Sequence, residues 1–178
     1  MLEIANQGGI ALLTLRRGKA NALDVDFCKA LRKEFRRLAK SDAKAVILTS
    51  EGKIFSAGVD LPRAAEGGRK YLHALVVALD EMYEEIFLFP KPVVAAINGH
   101  AIAGGCVLAM MCDQRVIVGD GTKGPPRIGL NEAQLGIGLP AIVLEVARAK
   151  LTPSAFVSVA LEGTLFDCHA GTGPSSSA

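Results

Sequence analysis

Short apolar runs alternate with segments of helical period along this chain, and that alternation limits the possible folds more than any other feature. Residues 2–5 and Ile10–Leu15 read as two strands joined around Gly8-Gly9, a hairpin. Residues 45–49, Val93–Ile97 and residues 116–118 read as further strands. Between them, Phe27, Leu31, Phe35 and Leu38 recur at helical spacing, with Lys29, Lys33, Arg36 and Lys40 on the opposite side. Asp24 stands where a helix cap is needed. A second stripe, Leu72, Leu75, Val76, Leu79, Met82 and Ile86, predicts a long helix ended by Pro90 and Pro92. Gly104–Met111 reads as a small-residue helix, and residues 141–151 and 153–161 as two more, the last opening on Pro153 as a first turn permits. Residues 51–62 and 119–129 read as loops, and Asn98-Gly99-His100 as a turn. Strands alternating with helices predict an α/β fold with much parallel pairing.

At 178 residues the chain is long enough to bury a core in one domain, and no internal repeat is visible. Half the residues are hydrophobic and 21% charged, a globular composition. A net charge of +2 implies no strong attraction to nucleic acid or to an anionic membrane. The apolar runs are too short to span a bilayer. Met1-Leu2-Glu3-Ile4 carries no secretory pattern, so a cytoplasmic location is expected. The 4 cysteines, Cys28, Cys106, Cys112 and Cys168, show no C-x-x-C spacing; they are expected to be reduced thiols, and no metal site is predicted. Residues 171–178, low in complexity, are expected to be disordered.

The chemistry concentrates in Arg127-Ile128-Gly129-Leu130-Asn131-Glu132-Ala133-Gln134-Leu135-Gly136, where one carboxylate, Glu132, stands among apolar and glycine residues. Apolar neighbours such as Leu130, Leu135 and Ile137 should raise its affinity for a proton. Earlier lies a glycine-rich helix start, Ala103-Gly104-Gly105-Cys106. A single acid near free backbone N–H groups suits proton transfer beside a polarised carbonyl.

Three segments together resemble the crotonase family, the enoyl-CoA hydratases and isomerases. Phe55-Ser56-Ala57-Gly58-Val59-Asp60-Leu61 resembles the family's first oxyanion-hole loop, and the run from Asn98 through Ala103-Gly104-Gly105 to Asp113 resembles the second. Residues 128–137 are similar to the third segment as it occurs in Δ3,Δ2-enoyl-CoA isomerases. The resemblance implies a spiral of ββα units over residues 1–166, without the C-terminal helical region usual in the family. Residues 167–178 are then expected to be a truncated helix start (Thr164-Leu165-Phe166-Asp167 leading in) and a low-complexity tail. It further implies an acyl-CoA substrate, coenzyme A being part of that substrate and no separate cofactor being needed, and a homotrimer. The oxyanion donors map onto the N–H groups of Val59 and Gly104, with Ala57, Gly58, Asp60, Leu61 and Asn131 around the substrate and Lys19 beside coenzyme A.

The resemblance also separates two reactions. Hydratases of the family use two glutamates on a water molecule; the first of these positions is Val107 here, and only the second, Glu132, is an acid. One carboxylate suffices for a 1,3-proton shift, so the expected activity is Δ3,Δ2-enoyl-CoA isomerisation in fatty-acid β-oxidation. The alternatives are a hydratase or another acyl-CoA enzyme of the family, a non-catalytic scaffold, and an RNA-binding relative using Lys29, Lys33, Arg36, Arg37 and Lys40. Among other polar residues, Asp60 has a second reading as a helix cap, Asp113 is expected in a structural salt bridge, Glu145 on a solvated face, and His100 in a structural role with no apparent partner.

Overall fold

The computed structural model of the protein describes residues 1–118 and 125–167. Cys168 and the tail of residues 171–178 lie outside the described residues, as does part of the expected loop 119–129. The hairpin forms as expected: β1 (Leu2–Gln7) and β2 (Ile10–Leu15) pair antiparallel, with Gly8 and Gly9 at φ 60 and 87 between them. Helix α1 (Val25–Ala39) follows, its first turn closed by the Asp24 carboxylate, which accepts from the Phe27 N–H. Strands β3 (Ala45–Ser50) and β4 (Ile54–Ser56) lead to α2 (Leu61–Glu66) and α3 (Gly68–Phe87). Strands β5 (Val93–Ile97) and β6 (His100–Ile102) lead to α4 (Gly104–Met111). After β7 (Gln114–Ile117) and β8 (Arg127–Gly129) come α5 (Ala141–Lys150), the short α6 (Pro153–Phe156) and β9 (Leu165–Asp167).

The strand orders show the spiral. One sheet runs β1-β2-β3-β5-β7 and the other β4-β6-β8-β9. Each of the pairs β3/β4, β5/β6 and β7/β8 therefore places one strand in each sheet before the chain returns through helices, the repeated ββα unit. Pairing is parallel except at the two ends, β1 with β2 and β8 with β9.

Alternate residues of the first sheet point inward: Leu13 and Leu15 of β2, Val46 and Leu48 of β3, Ala95 and Ile97 of β5. The apolar stripes of α1 and α3 close over them, with Phe27, Phe35, Met82 and Ile86 fully buried. On their outer sides Arg32 and Arg36 of α1 pair with Glu81 and Glu85 of α3, and Arg37 pairs with Glu34. Arg36 and Arg37, the two arginines of the alternative RNA-binding face, are thus already engaged by acids. Every residue of α4 is buried, which a helix apolar on all sides requires.

Several local expectations are corrected. Residues 51–62 are not one loop but contain β4 and the start of α2. His100 lies in β6 rather than in a turn, and its Nδ1 accepts from the Arg127 N–H at 3.1 Å, so it does have a partner. The helix over 153–161 is α6 followed by a π-helical turn at Val157–Leu161. The helix start expected at Thr164–Asp167 is instead β9, because Phe166 finds Ile128 of β8 opposite it. Asp113 makes no salt bridge among the described residues; its carboxylate accepts from the Val93 N–H at 2.8 Å and locks the start of β5.

Candidate active site

The loop after β4 is held from below by residues 20–24. Ala57 N–H donates to the Ala20 carbonyl at 2.9 Å, Leu23 N–H to the Gly58 carbonyl at 2.8 Å, and Asp60 N–H to the Leu23 carbonyl at 3.0 Å. The buried Ser56 hydroxyl donates to the Asn21 carbonyl at 2.9 Å and accepts from the Gly58 N–H at 3.2 Å. Asn21 in turn bridges Arg17 and Ile54. Beneath this lies Asp24, its side chain only 1% exposed, paired with Arg17 and with Arg63 at 2.6 Å. The loop thus has a defined shape before any ligand arrives.

Gly58 sits at φ 83, and a Cβ there would lie 2.8 Å from the Gly104 nitrogen. The chain has no side chain at the point where the two segments approach. On the other side, Ala103 takes the strained φ of 52 immediately before α4, and its N–H donates to the Gly129 carbonyl at 2.9 Å. This turns the first N–H of α4, that of Gly104, out of the helix. Neither the Val59 nor the Gly104 N–H donates a hydrogen bond among the described residues. Both residues line a cavity of about 420 Å³. The second glycine of the pair does a different job: a Cβ on Gly105 would meet the Ser56 carbonyl oxygen at 2.2 Å, so it lets α4 pack on β4.

Glu132 reaches the same cavity from the turn after β8. Its backbone is fixed there, since its carbonyl accepts from Leu135 at 3.0 Å and Ile137 at 2.9 Å, and Gln134 ties the turn to the Gly163 carbonyl at 2.9 Å. One carboxylate oxygen is free by contrast: Oε2 is buried without a hydrogen-bond partner, as is Oδ1 of Asn131 beside it. Burial away from water raises the Glu132 carboxyl above the ordinary range, partly offset by its own N–H and that of Asn131. The same burial, with the Glu132 charge nearby, pushes the Cys106 thiol up to about 12, so that cysteine is no nucleophile near neutral pH.

Of the residues expected at the site, Ala57, Val59, Leu61, Gly104, Asn131 and Glu132 meet on the cavity wall. Gly58 lies behind the wall, between the two segments. Asp60 is turned to structure: its carboxylate caps α2 by accepting from the Arg63 N–H at 3.1 Å. Lys19 is exposed and off the cavity wall, one residue before the carbonyl that anchors Ala57. Of the neighbours expected to shield Glu132, Leu135 and Ile137 line the cavity, whereas Leu130 is buried behind it. Val107 lines the wall as well, a hydrocarbon surface facing the ligand space.

Two polar wall residues escaped the sequence reading. Tyr83, buried on α3, donates its hydroxyl to the Gly104 carbonyl at 2.9 Å, and Asp80 stands one turn before it. Helical periodicity shows both on the inner stripe of α3, but an inner stripe reads as core. Among the described residues no group of His, Cys, Asp and Glu could hold a metal ion, and no helix is long and apolar enough to cross a membrane.

Known proteins share this architecture. A family profile described as enoyl-CoA hydratase/isomerase matches residues 5–169. The short-chain-enoyl-CoA hydratase of Clostridium acetobutylicum is 36% identical over 134 residues, 71% of this chain and 50% of that protein. Enoyl-CoA delta isomerase 1 of Rattus norvegicus mitochondria is 34% identical over 142 residues, 79% of this chain and 48% of that protein. The crystal structure of an enoyl-CoA hydratase/isomerase family protein from Pseudomonas syringae superposes with a TM-score of 0.86 at 31% identity, covering 94% of this chain and 70% of that one. The chain spans about half the length of the curated relatives it matches. With sequence and structure agreeing over nearly all of the described residues, the chain belongs to the enoyl-CoA hydratase/isomerase family, the crotonases.

Proposed function

We propose that the protein is a Δ3,Δ2-enoyl-CoA isomerase working with a single base. The observation that carries this reading is the buried, unpartnered Oε2 of Glu132 on a cavity whose wall at residue 107 is valine. The thioester oxygen of a 3-enoyl-CoA accepts hydrogen bonds from the N–H groups of Val59 and Gly104. Glu132 removes a proton from C2, and the dienolate charge spreads onto that oxygen, which the two N–H groups stabilise. Protonated Glu132 then returns the proton at C4, leaving the double bond between C2 and C3 in conjugation with the thioester. Coenzyme A enters and leaves as part of the substrate. A raised proton affinity helps the carboxyl both to accept and to give back a proton.

Hydration is the alternative that the relatives favour, most of which are named as hydratases. It asks for a second group to orient water, and Val107 can neither donate nor accept a hydrogen bond. The test is a paired assay on 3-hexenoyl-CoA and 2-hexenoyl-CoA. Isomerisation, seen as rising ultraviolet absorbance of the conjugated thioester, is expected to exceed hydration. Glu132→Gln is expected to lower isomerisation by about 10²–10⁴-fold. Dominant hydration would overturn the reaction, and an active Glu132→Gln variant would overturn the base.

A further inference from the structure

Helix α3 builds one side of the cavity from Leu72, Leu75, Val76, Leu79, Asp80 and Tyr83. Their spacing is that of a single helix face. Four are hydrocarbon, and the Tyr83 hydroxyl is engaged by the Gly104 carbonyl. Asp80 stands apart. Its carboxylate makes no hydrogen bond or ion pair among the described residues. It has no structural work within its own helix either. It lies mid-helix, far from the capping positions, and its neighbours three and four residues away are Val76, Val77, Tyr83 and Glu84, none of them a cation. Of the other acids of α3, Glu81 and Glu85 point to α1 and pair with Arg32 and Arg36, and Glu84 is exposed and off the cavity wall. Asp80 alone faces the cavity.

An acyl chain laid against this wall strips water from the Asp80 carboxylate, a costly step unless the ligand brings a donor. The approach to the reacting carbons is marked by Tyr83, whose buried phenol donates to the Gly104 carbonyl. Asp80 precedes it by one turn, about 5 Å of helix rise. We propose that Asp80 is a specificity-determining residue: its carboxylate accepts a hydrogen bond from a hydroxyl carried by the acyl chain beyond the reacting carbons, so the preferred substrates are hydroxylated acyl thioesters rather than plain hydrocarbon ones. The inference rests on the reading of the cavity as an acyl-CoA site. Burial, which raises the Asp80 carboxyl, is consistent with it.

Saturated acyl-CoA thioesters test this without turnover. Calorimetry would compare a plain chain with chains of equal length hydroxylated at successive carbons beyond C4, on the unsubstituted protein, Asp80→Asn and Asp80→Leu. A hydrogen bond to a charged acceptor predicts roughly 10- to 100-fold tighter binding for at least one hydroxylated chain. Asp80→Asn should shrink that preference, and Asp80→Leu should abolish it while binding the plain chain more tightly. Plain binding as tight as every hydroxylated chain, or a preference that survives Asp80→Asn, would overturn the proposal; should Asp80→Leu not fold, the Asn variant decides alone. Because these ligands cannot isomerise, loss of the preference is distinct from failure of the isomerase reading, which would show as absent turnover of 3-hexenoyl-CoA.

Discussion

A methyl group on Gly58 would lie 2.8 Å from the backbone nitrogen of Gly104. The residue also sits at φ 83, where an L side chain is strained. Gly58→Ala therefore carries two costs of different kinds. The strain is expected to lower stability by about 1–2 kcal/mol, read as a shift in the denaturant midpoint. The methyl group crowds the Gly104 N–H and is expected to cut isomerase turnover by about 10²–10³-fold, the usual effect of losing one oxyanion donor. A folded variant with full turnover would remove Gly104 from the site.

Glu132 links pH to both rate and stability. Its folded pKa is raised by burial, so this proposed base loses its proton at a higher pH than an exposed glutamate does. The acid limb of kcat/KM should fall at a pH above that of an exposed glutamate. The stability sign is the reverse of the usual carboxylate case. The folded state holds the proton more tightly than the unfolded chain, so this group lowers stability as pH rises from the unfolded pKa through the raised one. Glu132→Gln should then melt higher than the unsubstituted protein near neutral pH, and the gap should close below the ordinary glutamate pKa. Melting curves at the two pH values measure this; a variant that melts lower near neutral pH would contradict the desolvated carboxylate.

Asp24 joins the helix cap to the loop geometry. Its carboxylate accepts from Phe27 at 2.8 Å, pairs with Arg17 and Arg63, and stands beside the Leu23–Val59 bridge. Removing a buried charge partner costs about 3–5 kcal/mol; both arginines are partly exposed, so Asp24→Ala is expected near the lower end. Asparagine still caps a helix, so Asp24→Asn should lose less stability and separate the cap from the charge. Chemical denaturation of the two variants side by side gives the comparison.

What could be read along the chain was what depends on near neighbours. Asp24 as a cap and the α1 stripe are local, and the structure has both. The segments around Gly58, Gly104 and Glu132 stood out because glycine and a lone acid in apolar surroundings have few bland uses. The second sheet was missed, since β4, β6, β8 and β9 have three residues each, too few for alternation to show, and exist through pairing with distant segments. Leu165-Phe166 looked helical because its partner Ile128 lies far back in the chain. Tyr83 and Asp80 were hidden for a related reason. Their stripe is a core stripe by period, and only the packing of α3 against α4 turns its end into a cavity wall.

Val107 offers the sharpest test of the proposal that this site isomerises rather than hydrates. The side chain is 1% exposed and lines the cavity, within α4 and three residues after Gly104. In Val107→Glu the longer side chain can place its carboxyl only toward the cavity, because the rest of α4 is packed in the core. A second acid lining the same cavity as Glu132 would then be able to hold a water molecule over the double bond. Hydration of 2-hexenoyl-CoA should become measurable, while isomerisation of 3-hexenoyl-CoA should fall as the new charge competes with the dienolate. Burying that carboxyl should also lower the denaturant midpoint. If the variant folds, binds thioester and still gives no hydration, then a missing second acid is not what excludes water chemistry here, and the exclusion must lie in the shape of the apolar wall around Leu135 and Ile137.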